Sequence, residues 1–230
     1  MMRGRCCCHD MPDQRSCMEY YFRMGFDEFL IDAKLHIDTI GRDDKYSDTY
    51  RYPYEPTAYA VLERVAESGY ITKDDHLIDY GSGKGRVPIY FNDKVGCRAI
   101  GIEMMEEFYS VAERNRENYR KKNEVSFVKT MAEVYEVPKD ATCFFFFNPF
   151  SIEIMRCVMN RLLDSYYEHP RRMKLFFYYP QDEYVAFLMG VDELDFVDEI
   201  DCGDLFSEKD DRNRVLIFEL PEAGLYSDRS

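Results

Sequence analysis

From residue 71 onward, short apolar runs alternate with segments whose apolar residues recur at helical spacing. The runs predict strands at 76–80, 98–102, 125–130, 143–147, 174–179, 196–201 and 214–219. The helical spacing predicts helices at 84–92, 104–120, 151–166 and 181–188. Such alternation favours a parallel sheet with right-handed crossovers. We therefore expect an α/β fold: a doubly wound sheet of seven strands with helices on both faces.

The end of the chain departs from this alternation. The last two predicted strands are joined by the polar loop 202–213, with no helical pattern between them. Strands connected without a crossover helix pair antiparallel. The last strand is therefore predicted to run antiparallel to the rest of the sheet.

The N-terminal part of the chain has a different pattern. Residues 1–17 show no apolar periodicity and are expected to form a disordered tail. Apolar residues recur at helical spacing from residue 18 to 37, so 18–51 is expected to be a helical extension outside the main sheet. Residues 52–230 are then the main domain. Its first helix is expected to open at Pro56 and to end at Gly69.

A glycine-rich loop follows the first predicted strand of the domain. After Leu77-Ile78 the chain reads Asp79-Tyr80-Gly81-Ser82-Gly83-Lys84-Gly85-Arg86-Val87. An apolar strand, an acid, a glycine loop and a helix start are typical of a nucleotide-like ligand site at the carboxyl end of a parallel sheet. A dinucleotide fingerprint requires glycine at the sixth position of the loop, where this chain has arginine. NAD and FAD are therefore disfavoured.

Two more strand ends carry candidate chemistry. The second strand ends in Glu103, about 20 residues after the loop, where a carboxylate can accept both hydroxyls of a ribose. The fourth strand contains four phenylalanines and is followed by Asn148-Pro149-Phe150. The Asn148 side-chain oxygen and the Pro149 carbonyl can accept hydrogen bonds from a substrate amino group, and Phe150 can stack on a flat or cationic target.

This set of motifs resembles the class I S-adenosylmethionine (SAM)-dependent methyltransferases, over about residues 52–220. The resemblance implies a Rossmann-like sheet and SAM as cofactor. It is closest to a group of small methyltransferases with Tyr-x-Pro-Thr before the glycine loop and Phe-Asn-Pro-Phe at the fourth strand. The cofactor-binding residues that it implies are Tyr54, Thr57, Asp79, Gly81, Ser82, Gly83, Gly85, Glu103, Met131, Ala132 and Asn148.

Specific roles follow for parts of the cofactor. Asp79 can hold the ammonium of SAM, while the loop amides and the positive end of the following helix can meet its carboxylate. The third motif of the family ends in an acid, whereas this chain has Met131-Ala132-Glu133 there. Adenine would be held by the backbone near Met131 and Ala132, or by Glu133.

The loop after the fourth strand resembles the Asn/Asp-Pro-Pro-Tyr/Phe loop of amino-group N-methyltransferases, shortened by one proline. The implied catalytic residues are Asn148, Pro149 and Phe150, and the leading hypothesis is methyl transfer to an amino nitrogen. Transfer to oxygen or carbon, with Asn148 structural, is the first alternative, and a SAM-binding protein without catalysis is the second. Tyr54 and Tyr178 are weak candidates for handling the proton of an amine.

Charge and composition limit the partners. A formal net charge of −14 argues against a nucleic-acid partner and permits a cationic methyl acceptor, either a small amine or a basic protein. The sequence contains no apolar run long enough for a membrane span. Eight cysteines without a secretory signal indicate reduced thiols and a cytoplasmic location. The adjacent thiols of Cys6-Cys7-Cys8-His9 cannot surround a tetrahedral ion, so no metal site is expected. The oligomeric state is left open.

Overall fold

The computed structural model describes residues 27–43 and 53–222. Helices cover residues 27–35 (α1), Tyr59–Glu67 (α2), Arg86–Lys94 (α3), Glu106–Asn118 (α4), Ile152–Glu168 (α5) and Asp182–Leu188 (α6). Strands cover His76–Tyr80 (β1), Arg98–Glu103 (β2), Val125–Lys129 (β3), Cys143–Phe147 (β4), Met173–Tyr178 (β5), Asp195–Asp201 (β6) and Arg214–Leu220 (β7). No helix in the described ranges is long and apolar enough to cross a membrane.

The seven strands form one sheet in the order β3-β2-β1-β4-β5-β7-β6. Strands β1 to β5 pair in parallel, while β7 is antiparallel to both β5 and β6. The predicted sheet of seven strands with an antiparallel last strand is therefore confirmed. The strand order reverses between β1 and β4, and such a switch point leaves a crevice outside the carboxyl ends of the strands.

The phenylalanine run of β4 contributes to two hydrophobic cores, one on each face of the sheet. Phe145 packs on the face covered by α2 and α3, while Phe144 and Phe146 pack on the face covered by α5. All three side chains are fully buried. Because successive side chains of a strand point to opposite faces, a continuous aromatic run fits only a sheet that is covered on both sides.

The described part of the N-terminal extension, residues 27–43, is attached to the main domain. The Asn115 side chain on α4 accepts from the Asp38 amide (3.0 Å) and donates to the carbonyls of Asp38 (3.1 Å) and Lys84 (2.9 Å). Asp43 and Tyr54 exchange two backbone hydrogen bonds of 3.0 Å. The predicted tail 1–17, with Cys6–His9, lies outside the described residues, as do 18–26, 44–52 and 223–230.

Candidate functional site

An open cleft lies at the carboxyl ends of the parallel strands. It encloses about 1030 Å³, its open mouth included. Its walls come from five stretches of chain: 53–57, 79–87, 102–108, 130–133 and 147–154. The fold thus brings together the loops after β1, β2, β3 and β4, together with the segment that precedes α2.

Eleven of the thirteen residues predicted for the site line this cleft. They are Tyr54, Thr57, Asp79, Gly81, Ser82, Gly83, Glu103, Ala132, Asn148, Pro149 and Phe150. Gly85 instead is the N-cap of α3, with φ +88°, and Phe127 fills the space behind it. Met131 is 42% exposed and is not among the lining residues, whereas its neighbours Thr130, Ala132 and Glu133 are.

Two glycines of the loop allow other parts of the site to approach it closely. Gly81 and Gly83 have positive φ angles of +78° and +53°, which favour glycine. A Cβ at Gly83 would lie 2.3 Å from the Tyr54 ring, and a Cβ at Gly81 would lie 2.7 Å from Pro149 Cβ. The loop is therefore enclosed by an aromatic ring on one side and by the Asn-Pro-Phe segment on the other.

The amides of the loop are largely used within the protein. Gly81 and Ser82 donate to the Ile102 carbonyl (3.0 and 2.9 Å), Gly83 donates to Glu103 (2.9 Å), and Gly85 donates to the Ser82 carbonyl (2.8 Å). Four of the five loop amides therefore have no hydrogen left for a ligand carboxylate. The expectation that they contact it is wrong for these four, and the start of α3 is left for that role.

Asp79 and Glu103 form the acidic floor of the cleft. Asp79 is 3% exposed and has no hydrogen-bond partner among the described residues. Burial, and then the charge of Glu103, raises the pKa of Asp79 well above its usual value. Glu103 accepts from the Gly83 and Met105 amides (2.9 and 2.7 Å), and burial raises its pKa against the opposing effect of these hydrogen bonds. A cationic ligand would stabilise both carboxylates in their charged form.

The Asn-Pro-Phe segment lies at the end of β4. Asn148 has a φ of +41°, and its side-chain oxygen is buried without a hydrogen-bond partner in the described structure. Phe150 is 5% exposed and packs edge-on against Phe146, so only a small part of its surface faces the cleft. The neighbouring Phe147, which was not predicted as a site residue, is half-buried and lines the cleft. It offers more accessible aromatic surface.

Neither tyrosine proposed for proton handling fits that role. The Tyr54 hydroxyl donates to the Thr39 carbonyl at 2.5 Å, and burial raises its pKa. Tyr178 is 4% exposed, does not belong to the described cleft lining, and has a pKa that burial also raises. The weak expectation for both residues is therefore corrected. Arg86, which sequence reasoning used only to disfavour NAD, is a cleft residue as well.

The charges of the cleft fit SAM better than a dinucleotide. Four carboxylates and one guanidinium are found among the described lining residues: Glu55, Asp79, Glu103, Glu133 and Arg86. This excess of acid suits the sulfonium and ammonium of SAM and opposes a pyrophosphate. The side-chain oxygen of Asn148 is buried without a partner in the described structure, as expected of a group that a ligand completes.

Comparisons with known proteins agree with this geometry. The family model "Histone methylation protein DOT1" matches residues 42–141. No curated protein matches the chain. Among solved structures, the human methyltransferase 10 domain containing protein is 14% identical with a TM-score of 0.58, covering 89% of this chain and 98% of that chain.

Two further structures share the fold. The N-terminal domain of human METTL16 in complex with SAH is 13% identical with a TM-score of 0.56, covering 89% of this chain and 83% of that chain. Sp1610 of Streptococcus pneumoniae, a putative tRNA (m1A22) methyltransferase, is 18% identical with a TM-score of 0.54, covering 72% of each chain. With its seven-stranded sheet, its acidic cleft and its family match, the chain is a class I SAM-dependent methyltransferase.

Proposed function

We propose that this enzyme transfers the methyl group of SAM to an amino nitrogen of a small amine or a basic protein. The observation that carries the proposal is the Asn148 side-chain oxygen. It is buried, belongs to a residue that lines the cleft, and has no hydrogen-bond partner among the described residues. A buried acceptor without a donor is rare in folded proteins, and an amino group supplies the missing donor.

The roles of the chain follow from this position. When bound, SAM supplies a methyl group that is activated by a positively charged sulfur. Asn148 Oδ1 and the Pro149 carbonyl accept the N–H groups of the substrate and thereby orient its lone pair. The positive φ of Asn148 directs its side chain, and Pro149, which packs on Gly81, keeps the segment next to the cofactor loop. Alignment of this kind supplies much of the rate in a displacement reaction.

The charge of the cleft supports a cationic acceptor. Glu55 and Glu133 line it in addition to Asp79 and Glu103. The Glu55 side chain is 53% exposed and pairs with Arg42 at 3.1 Å. An acidic opening attracts amines and repels phosphates. Neither Tyr54 nor Tyr178 is suited to be the base, so the proposal has the amine lose its proton to solvent before it accepts the methyl group.

Two comparisons bear on the identity of the acceptor, one in favour of a basic protein and one that leaves RNA as an alternative. The matching family model is described as a histone methylation protein, which favours a lysine-bearing basic protein. The argument against a nucleic-acid acceptor rests on the net charge of −14 alone, and one structural neighbour is a putative tRNA methyltransferase. RNA is therefore the first alternative to be tested. The cytoplasm remains the proposed compartment.

The test is methyl transfer from radiolabelled SAM to four separate pools: core histones, polyamines, a cytoplasmic protein lysate and total RNA. We expect label on nitrogen in at least one of the first three pools, identified by its resistance to base and by mass spectrometry. Base-labile label would indicate oxygen transfer, and label in RNA alone would contradict the acceptor class. SAM binding without transfer to any pool would favour a non-catalytic protein. The Glu55→Gln variant should transfer methyl groups to histones more slowly, while its affinity for SAM should be affected less.

A further inference from the structure

The ends of β4 and β5 carry two residues in an unusual backbone conformation. Phe147 pairs in register with Tyr178, so Asn148 and Tyr179 are the next residues after the two strands. Their φ angles are +41° and +53°. Such angles are uncommon for residues other than glycine, and they cluster at active sites and ligand-binding segments. Asn148 lines the cleft, which makes the adjacent Tyr179 a candidate for a role in the same site.

The backbone conformation of Tyr179 brings a second aromatic ring against Phe147. Tyr178 and Tyr179 pack on the same core, whereas successive side chains of an extended strand point to opposite faces. The centre of the Phe147 ring lies 4.6 Å from that of Tyr178 and 6.4 Å from that of Tyr179, and it meets the latter edge to face. Phe147 is half-buried and lines the cleft, so the two tyrosines fix an aromatic surface that a ligand can reach.

Two side chains of the loop between β6 and β7 hold Tyr179 in this conformation. Its hydroxyl donates to Asp210 Oδ2 at 2.5 Å and accepts from Arg212 Nη2 at 2.7 Å. The Arg212 guanidinium also lies 4.4 Å from the centre of the Tyr179 ring and pairs with Asp210 at 2.8 Å. None of these three residues belongs to the described cleft lining. Their route to the cleft is the Phe147 ring, which Tyr179 contacts.

The part of the cleft that contains Phe147 also carries negative charge. Glu55 lines the cleft, and its side chain is 53% exposed. Burial, and then the hydrogen bond to Asp210, raises the pKa of Tyr179 against the opposing charge of Arg212, and the charge of Glu55 adds to the rise. Glu55 is therefore near Tyr179 and on the same side of the cleft. An aromatic ring beside a carboxylate suits the carbon chain and the ammonium of an alkylamine.

We propose that Phe147 contacts the carbon chain of the methyl-accepting amine, and that Tyr179, held by Asp210 and Arg212, is the residue that positions the Phe147 ring. The loop between β6 and β7 thereby helps to determine which amines the enzyme accepts. The inference rests on the proposed transfer to an amino nitrogen and adds to it the surface that receives the stem of the amine.

The first experiment observes the Phe147 ring directly in the otherwise unaltered enzyme. The 17 phenylalanines are replaced by 4-fluorophenylalanine, and the fluorine NMR signal of residue 147 is identified by its absence from Phe147→Leu. Addition of n-butylamine to enzyme saturated with S-adenosylhomocysteine should shift this signal, whereas ammonium chloride at the same ionic strength should not. An unshifted signal of residue 147 would overturn the proposed contact.

The second experiment tests the positioning role of Tyr179. Tyr179→Leu removes the edge-on ring and its hydroxyl, so the signal of residue 147 should shift before any ligand is added. The affinity for n-butylamine, measured by calorimetry, should fall about fivefold, and Tyr179→Phe, which keeps the ring, should recover part of the loss. The double variant with Phe147→Leu should bind no more weakly than Phe147→Leu alone, because Tyr179 acts through Phe147. Additive losses would contradict the positioning role.

Tyr70→Phe is the matched control for Tyr179→Phe. Tyr70 also packs partly buried on the same core, and its hydroxyl donates to Asp198 of β6 at 2.9 Å, but it is not part of the described cleft lining. The signal of residue 147 and the affinity for n-butylamine should stay unchanged, even where the melting temperature falls. If Tyr70→Phe shifts the signal as far as Tyr179→Phe does, general destabilisation accounts for the effect and the positioning role is wrong.

The proposed function and this inference fail in different ways. Label on nitrogen in the acceptor pools, together with an unshifted signal of residue 147, would keep the amine acceptor and overturn the contact with Phe147. A shifted signal together with label in RNA alone would support the contact and overturn the acceptor class.

Discussion

The two ends of the cleft are built differently. At the cofactor end, Asp79 and Glu103 are almost fully buried, and two backbone amides fix Glu103. At the acceptor end, Asn148 has a positive φ angle and an unused side-chain oxygen, and Glu55 is half-exposed. At the first end the protein itself holds Glu103, while Asp79 is left for the ligand. The second leaves its hydrogen bonds to be completed by whichever molecule enters.

The difference shows how one site can serve two kinds of recognition. A carboxylate and a loop that are already held by protein hydrogen bonds lower the entropic cost of binding the cofactor. The acceptor end forms its hydrogen bonds only when a suitable amine is bound. The free energy of these hydrogen bonds can therefore orient the amine for reaction. The two ends meet at Gly81 and Pro149, whose close approach leaves no room for a larger residue.

The largest expected effect comes from the acceptor end. Asn148→Ala should lower the rate of methyl transfer by about a hundredfold, because the substrate lone pair is no longer held in line. SAM affinity should change little, and Asn148→Asp should retain part of the activity because an oxygen acceptor survives. Single-turnover transfer and calorimetry check the two quantities. Full activity in Asn148→Ala would favour oxygen or carbon transfer.

The control for this variant is Asn123→Ala, because Asn123 is exposed and is not among the described lining residues. Its transfer rate should equal that of the unaltered enzyme. If Asn148→Ala lowers SAM affinity by as large a factor as it lowers turnover, the acceptor end and the cofactor end do not act independently.

The next effect concerns the cofactor end. Glu103→Ala should weaken SAM binding by about ten- to a hundredfold, since it removes a charge-assisted contact to the ribose, worth roughly 1.5–3 kcal/mol. Its carboxylate also holds the Gly83 amide, so part of the loss can come through the loop. Glu103→Gln retains a side-chain oxygen that can accept from the Gly83 amide but removes the charge. A loss of SAM affinity in this variant would therefore come from the contact to the ribose and not from the loop. A lower melting temperature with unchanged SAM affinity would make Glu103 structural.

A smaller effect is expected from pH. Burial raises the pKa of Asp79, so the ligand-free protein retains a proton that the unfolded chain has lost. The ligand-free protein should therefore lose stability as pH rises from the usual carboxyl pKa through the raised one. Holding an ammonium requires the ionised acid, so SAM affinity should rise over the same interval. Calorimetry from pH 5 upward measures it, and Asp79→Asn should reduce the rise, leaving the part that comes from Glu103, whose pKa burial also raises.

The smallest effect is expected from removal of residues 1–17. They show no apolar periodicity in the sequence, so melting temperature and SAM affinity should both stay unchanged. Thermal denaturation and calorimetry of the shortened chain check this prediction. Loss of stability together with loss of a bound metal would instead make Cys6–His9 a ligand set.

The sequence by itself determined the sheet, its seven strands and the position of the cofactor loop. The signals for these features are local: an apolar strand, an acid at its end and glycines at fixed spacing allow few alternative conformations. Asp79, Glu103 and Asn148 could be identified because each lies at or next to the end of a strand. In a parallel sheet the ends of the strands meet at one edge, so their order along the chain is enough to bring them together.

The tertiary structure decided which groups are available to a ligand. Whether a loop amide is free, whether Tyr54 can exchange a proton, and whether Met131 or Ala132 faces the cleft depend on contacts between distant segments. Arg86 is the clearest case: its neighbours Glu28 and Thr39 lie 58 and 47 positions away in the sequence. Hydrogen bonds and burial are assigned only when these segments pack, because local sequence does not specify which distant groups will be adjacent.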